Sequence, residues 1–134
     1  MKITQLDHLV LTVQDIEATC HFYETVLGME AITFGKGRKA LRFGTQKINL
    51  HPFGKEFEPK ALHPVPGSED LCFLTYTPLD EVIAHLQAVG VEIITGPAER
   101  TGAQSKLLSV YLRDPDGNLI EISNIVEQNE KDNQ

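Results

Sequence analysis

Along residues 7–13, DHLVLTV, apolar side chains fall on alternate positions. Leu9, Leu11 and Val13 share one face of a predicted strand, and His8, Val10 and Thr12 share the other. The period then lengthens. Asp15 is an N-cap, and Ile16, Cys20, Tyr23 and Leu27 repeat at helical spacing until Gly28 ends the helix as a C′ glycine. Three short strands follow, over 30–35, 38–44 and 46–52, with GKG and GTQ as their turns. The passage then starts again. EDLCFLTYT reads as a strand, and Leu79, Val82, Leu86 and Val89 form the buried stripe of a second helix that stops at Gly90. Strands over 92–96, 107–113 and 118–124 complete it, joined by the polar loop PAERTGAQSK and the turn DPDGN.

The two passages are one pattern written twice. An offset of 62 lays Gly28 over Gly90, Glu30 over Glu92, Ile32 over Ile94 and His8 over Asp70. The longer second loop widens the offset to 70 by the last strands, which lays His51 over Glu121. The expected fold is α+β: two βαβββ modules, about 3–53 and 69–125, in one domain over 1–126, with curved mixed sheets paired around a cavity. GKEFEPKALHPVPGS connects the modules, with Phe57 and Leu62 suggesting that it packs, and 127–134 reads as a disordered tail.

Each helix must cover one face of its sheet, and the alternation identifies that face by Leu9, Leu11, Val13, Ile48, Leu50, Leu71, Phe73, Ile120 and Ile122. The opposite face carries His8, Val10, Thr12, Asn49, His51, Asp70, Cys72, Leu119, Glu121 and Ser123. Polar residues on an open sheet need only water to explain them. Here two repeat-related pairs, His8 with Asp70 and His51 with Glu121, carry only coordinating side chains. Two imidazoles and two carboxylates suit a divalent first-row ion, with further positions left for water or substrate.

Composition narrows the partners. Nineteen acidic against twelve basic residues give a net charge of −7, and no basic cluster exceeds GKGRK, so nucleic acid is not an expected partner. No apolar run approaches a membrane span, and the start of the chain lacks a signal-peptide pattern, so no membrane partner and a cytoplasmic location are expected. Cys20 and Cys72 stand too far apart for a metal or redox motif and read as two buried thiols.

LDHLVLTVQDIEATCHFYETVLGM, with a strand histidine ahead of a helix that closes at LGM, and VYLRDPDGNLIEIS, with a turn ahead of a strand glutamate, resemble the vicinal oxygen chelate superfamily of glyoxalases, bleomycin-resistance proteins and extradiol dioxygenases. The likeness covers roughly residues 3 to 126. RKALRFGTQKINLH, GKEFEPKALHPVPGS and ITGPAERTGA are similar to glyoxalase-domain-containing protein 5-like proteins. The resemblance implies a homodimer and a divalent metal, one of Ni, Zn, Mn or Fe, that chelates two neighbouring oxygens of a small-molecule substrate. It carries His8 onto the first-strand ligand and Glu121 onto the final-strand glutamate. His51 takes the last-strand position of the first half, and Asp70 stands where the family usually has His.

Asp70 is therefore a ligand, a partner that orients a histidine, or the general base. The expected function is a metal-dependent lyase or isomerase working through an enediolate, with Glu121 or Asp70 moving the proton. An extradiol-type dioxygenase and a non-catalytic antibiotic-binding protein are the alternatives. Arg100, in the long glycine-containing loop, is the cation expected to meet an anionic substrate, and Asn49 and Cys72 are expected to line the pocket. His21 and His85 read as surface residues, His63 as a loop residue, and DPDGN as a turn that places Glu121 without doing chemistry.

Overall fold

The computed structural model describes residues 1–126; the predicted tail, 127–134, lies outside the described residues. The elements follow the predicted order: β1 (His8–Val13), α1 (Ile16–Thr25), β2 (Glu30–Phe34), β3 (Arg38–Phe43), β4 (Gln46–Pro52), β5 (Asp70–Leu74), α2 (Leu79–Ala88), β6 (Thr95–Thr101), β7 (Lys106–Arg113) and β8 (Leu119–Ile125). They form two mixed sheets of the same topology, β1-β4-β3-β2 and β5-β8-β7-β6, each with its first and last strands parallel and the rest antiparallel. The repeated βαβββ reading is the observed α+β fold.

Two compact units carry these sheets. The first comprises Met1–Glu69 together with Asp114–Asn118, and the second, among the described residues, comprises Asp70–Arg113 and residues 119–126. In the first, Asp15 caps α1 by accepting the Ala18 N–H at 3.0 Å, and Gly28 stops it at φ +68. The buried face of α1 is Thr19, Tyr23 and Val26, a stripe rotated slightly from the predicted one, and it packs with Leu11, Val13, Leu41, Ile48 and Leu50. In the second unit, Leu79 and Leu86 of α2 are buried in a core that includes Val110, Leu112, Ile120 and Ile122. Val89, expected in that stripe, is exposed because the helix ends at Ala88.

The largest departure from expectation is β6. It starts at Thr95 rather than 92 and runs through residues 97–101, which read as loop. PAERT has no apolar alternation to betray a strand, because β6 is the edge of its sheet and its order comes from main-chain pairing with β7. The register shifts between Thr95 and Ala98. Gly96 makes that shift possible: at φ +110 its missing Cβ would meet the Ser109 carbonyl oxygen at 2.5 Å.

DPDGN does more than turn the chain. Gly117 N–H closes the turn onto the Asp114 carbonyl at 3.0 Å, and the Asp114 carboxylate is buried within the first unit. It accepts from the Tyr23 hydroxyl at 2.7 Å, from Asn118 Nδ2 at 2.8 Å, and from the Asp116 and Asn118 backbone N–H groups, each at 2.9 Å. Asn118 Oδ1 in turn accepts the Glu69 N–H at 2.8 Å. Burial and then the Asp114 charge push the Tyr23 phenol far up, so it remains a donor at every working pH. Asp114→Ala leaves four donors, three of them buried, without their acceptor, and urea unfolding is expected to show a loss of about 3 kcal/mol. Tyr23→Phe removes one donor of the four and is expected to cost about 1.5 kcal/mol; equal losses for the two variants would contradict this division.

Candidate functional site

Strand register determines which polar-face residues stand together. In the second unit Cys72, Glu121 and Tyr111 lie side by side across β5, β8 and β7. The next row on that face is Leu74, Ser123, Ser109 and Ala98, and the one after it is Ile125, Leu107 and Arg100. The middle row is small apart from Leu74 at its edge. Ser109 and Ser123 are fully buried, and residues of the rows on either side of them line a cavity of about 580 Å³. Cys72, Arg100, Leu107, Tyr111 and Glu121 line it, as do Gly102–Ser105 of the loop after β6. Three residues singled out from the sequence, Glu121, Cys72 and Arg100, thus share one cavity.

Buried hydroxyls orient the cavity's carboxylate. Ser123 Oγ donates to Glu121 Oε2 at 3.3 Å and lies 2.6 Å from Ser109 Oγ and 3.3 Å from Cys72 Sγ. Cys72 is exposed rather than buried as expected, since it shares the cavity face with Glu121. Its partial desolvation raises its pKa and the adjacent Glu121 charge adds to the rise, although the Ser123 hydrogen bond opposes it, so the group is a neutral thiol. Arg100 belongs to β6 and not to a mobile loop. Its side chain spans the small row: Nε–H donates to the Tyr111 hydroxyl at 2.9 Å, Nη1–H to the Glu99 carbonyl at 2.9 Å, and Cζ lies 5.3 Å from the Tyr111 ring centre. Nothing in the sequence pattern marked Ser109 or Tyr111, whose roles follow only from the register.

The first unit has the same rows filled differently. His8, Lys47, Arg42 and Glu30 make the first, and Val10, Asn49, Ala40 and Ile32 the second. Thr12 and His51 are paired in the third, where Arg38 pairs with Phe34. His8 Nδ1 lies 2.8 Å from the Asp7 carboxylate, which only accepts, so in the neutral ring Nδ1 carries the proton and Nε2 keeps its lone pair. Asn49 is buried, and its Oδ1 has no hydrogen-bond partner among the described residues.

These ladders correct the predicted pairing of sites. Val10 and Cys72 are repeat equivalents, and their strand partners are Asn49 and Glu121, so Asn49 and not His51 is the counterpart of Glu121. His51 corresponds to Ser123. Aligning by residue type, which laid one coordinating group over another, was out of step by two positions. His8 and His51 are also two rows apart, roughly 13 Å along the strands at about 3.3 Å per residue. His51 is instead part of the first unit's own packing. The Arg38 guanidinium, which only donates, reaches His51 Nε2 at 3.4 Å and stacks between Phe34 and Phe57, and the Phe57 ring meets the imidazole edge-on at 5.2 Å. The connector thus packs through Phe57, while Leu62 is exposed. His51 also lines a separate cavity of about 400 Å³ with Thr12, Lys60, His63 and Glu69.

Within either unit, among the described residues, no three His, Cys, Asp or Glu side chains form a metal-holding group. Each unit presents a pair on successive rows: His8 and Asn49 in the first, Asp70 and Glu121 in the second.

A family model described as Glyoxalase/Bleomycin resistance protein/Dioxygenase superfamily matches residues 5–122. The chain is 59% identical over 126 residues to the virulence protein STM3117 of Salmonella typhimurium, covering 94% of this chain and 88% of that protein. The crystal structure of that protein superposes with a TM-score of 0.93, covering 94% of this chain and all of the other. A glyoxalase domain-containing protein of Mycosarcoma maydis, RDO1, is 55% identical over 92% of this chain and 69% of its own length. Two structures at 22% identity share the fold alone. They are a lactoylglutathione lyase of Agrobacterium tumefaciens, with a TM-score of 0.70 over 92% of this chain and 96% of that one, and the antibiotic-binding TnmS3 of a Streptomyces species, with 0.71 over 94% and 99%.

Burial and the nearby Arg38 charge lower the His51 pKa from 6.5, with the weaker Glu56 field opposing. The unfolded chain therefore binds a proton that the folded chain resists. The stability owed to neutral His51 is full above about pH 6.5 and is lost as the pH falls from there through the folded pKa. Denaturant melts across this window are expected to show a steeper acid loss for the wild type than for His51→Gln. Parallel curves would contradict the assignment.

Proposed function

The chain belongs to the glyoxalase, bleomycin resistance protein and dioxygenase superfamily, and from that premise we propose that it is a metal-dependent lyase or isomerase acting on a small substrate with two adjacent oxygens. The supporting observation is Glu121, a carboxylate on the wall of a substrate-sized cavity with one oxygen held by Ser123. Each unit separately presents donors of the kind the family's metal takes. The first offers His8 Nε2 and the buried Asn49 Oδ1, and the second offers the Asp70 and Glu121 carboxylates, whose charge suits a divalent ion. A bound ion would polarise the substrate's two oxygens and make the adjacent C–H more acidic.

The chain's own residues would then do the proton work. Ser123 holds Glu121 Oε2, leaving Oε1 as the oxygen that takes a proton from one substrate carbon and returns it to the neighbour. The buried Ser109 and Ser123 hydroxyls fix that carboxylate from beneath. Cys72 remains a thiol and adds no competing nucleophilic charge. Asp70, one row away on the exposed start of β5, serves as a further ligand.

Protein loaded in turn with Ni, Zn, Mn and Fe is to be offered hemithioacetals and α-hydroxycarbonyls in deuterated water. Turnover with deuterium incorporation is expected for at least one metal, with a loss of about 100-fold or more in Glu121→Gln. His51→Ala is expected to retain its metal, whereas His8→Ala is expected to lose it. Metal-replete protein that neither converts nor exchanges any of these compounds would sink the reading. Oxygen uptake with a catechol would point to ring cleavage, and a ligand kept unchanged without metal to sequestration.

A further inference from the structure

Two side chains of opposite charge line the second-unit cavity. Glu121 stands on β8, and Arg100, held by Tyr111 and the Glu99 carbonyl, stands two strands away on β6. Leu74, Leu107 and Ile125 supply apolar wall, and Thr101, Gln104 and Ser105 are neutral, so Arg100 is the one Lys or Arg among the lining residues. The two bonds it makes use Nε and Nη1, fix the plane of the guanidinium, and leave Nη2 outside both. An arginine fixed in this way loses little rotamer freedom when it accepts a ligand.

The geometry points to a substrate that is an organic carboxylate: a monoanion with an apolar body, whose carboxylate docks on Arg100 while its reactive oxygens lie toward Glu121. This deepens the reading of Glu121 as the proton-moving group and rests on it for the orientation, though not for the binding. One guanidinium presents a fork that matches one carboxylate. A phosphate dianion would bring a second negative charge into a cavity that already holds Glu121 and offers no second cation. The cavity of about 580 Å³, walled in part by Leu74, Leu107 and Ile125, has room for an apolar body of about one ring.

The test measures binding alone, without turnover. Phenylacetate, phenylacetamide and phenyl phosphate are titrated at millimolar concentration into the full chain as purified, and the Arg100 Nε–H resonance is followed by NMR. Phenylacetate is expected to bind about tenfold more tightly than the neutral amide or the phosphate and to move that resonance. Arg100→Gln is expected to abolish the preference over the amide, Arg100→Lys to recover part of it, and Glu121→Gln to keep the preference over the amide while narrowing the one over the phosphate. Equal affinity for acid and amide, a preference that survives Arg100→Gln, tighter binding of the phosphate, or no saturable binding of any probe would each overturn the inference. A carboxylate preference in protein that lacks turnover would leave it standing while the catalytic reading failed.

Discussion

The buried Asp114 carboxylate is the interaction on which the arrangement of β8 depends. Four hydrogen bonds from Tyr23, Asn118 and two backbone amides hold the 114–118 turn in the first unit. β7 enters that turn and β8 leaves it, so the register between them is set at this point. Glu121 and Ser123 begin three and five residues after Asn118, and their places opposite Tyr111 and Ser109 follow from that start. A buried carboxylate is costly to desolvate, and only a full complement of donors offsets the cost. The turn sequence provides three of the four from within its own five residues.

The polar faces of the two units show what duplication permits. In the first, the third row holds His51, with Arg38 beside it stacked between Phe34 and Phe57 and the connector over the top. In the second, the corresponding positions are Ser123 and Ser109, and the rows on either side of them line a cavity. Ladders of the same strand order therefore carry large side chains on this row in one unit and small ones in the other. Main-chain pairing tolerates this divergence because its hydrogen bonds do not depend on which side chain stands above.

Much of this was legible in the sequence because period and punctuation report local physics. Asp15 capping α1, the positive φ at Gly28 and Gly90, and the alternation of Leu11 with Val13 and of Ile120 with Ile122 all appear where the pattern put them. β6 was hidden because an edge strand needs no apolar face. The match of His51 with Glu121 failed for another reason. Side-chain type does not encode register, and the ladder makes Asn49 the counterpart of Glu121. The sequence pattern shows Asp114 only as a turn residue because its partner Tyr23 is 91 positions away in the chain, and a contact at that separation leaves no local signature. Glu121, Cys72 and Arg100 were recognised singly; that they line a common cavity depends on strand pairing.

Ser109 and Ser123 lie fully buried between the rows whose side chains line the cavity. Ser109 touches Ser123, and Ser123 in turn touches Glu121. The side chains that shape the cavity wall and the hydroxyls that orient its carboxylate are thus different residues. A lineage of such proteins could change what fits while leaving the carboxylate and its orientation intact.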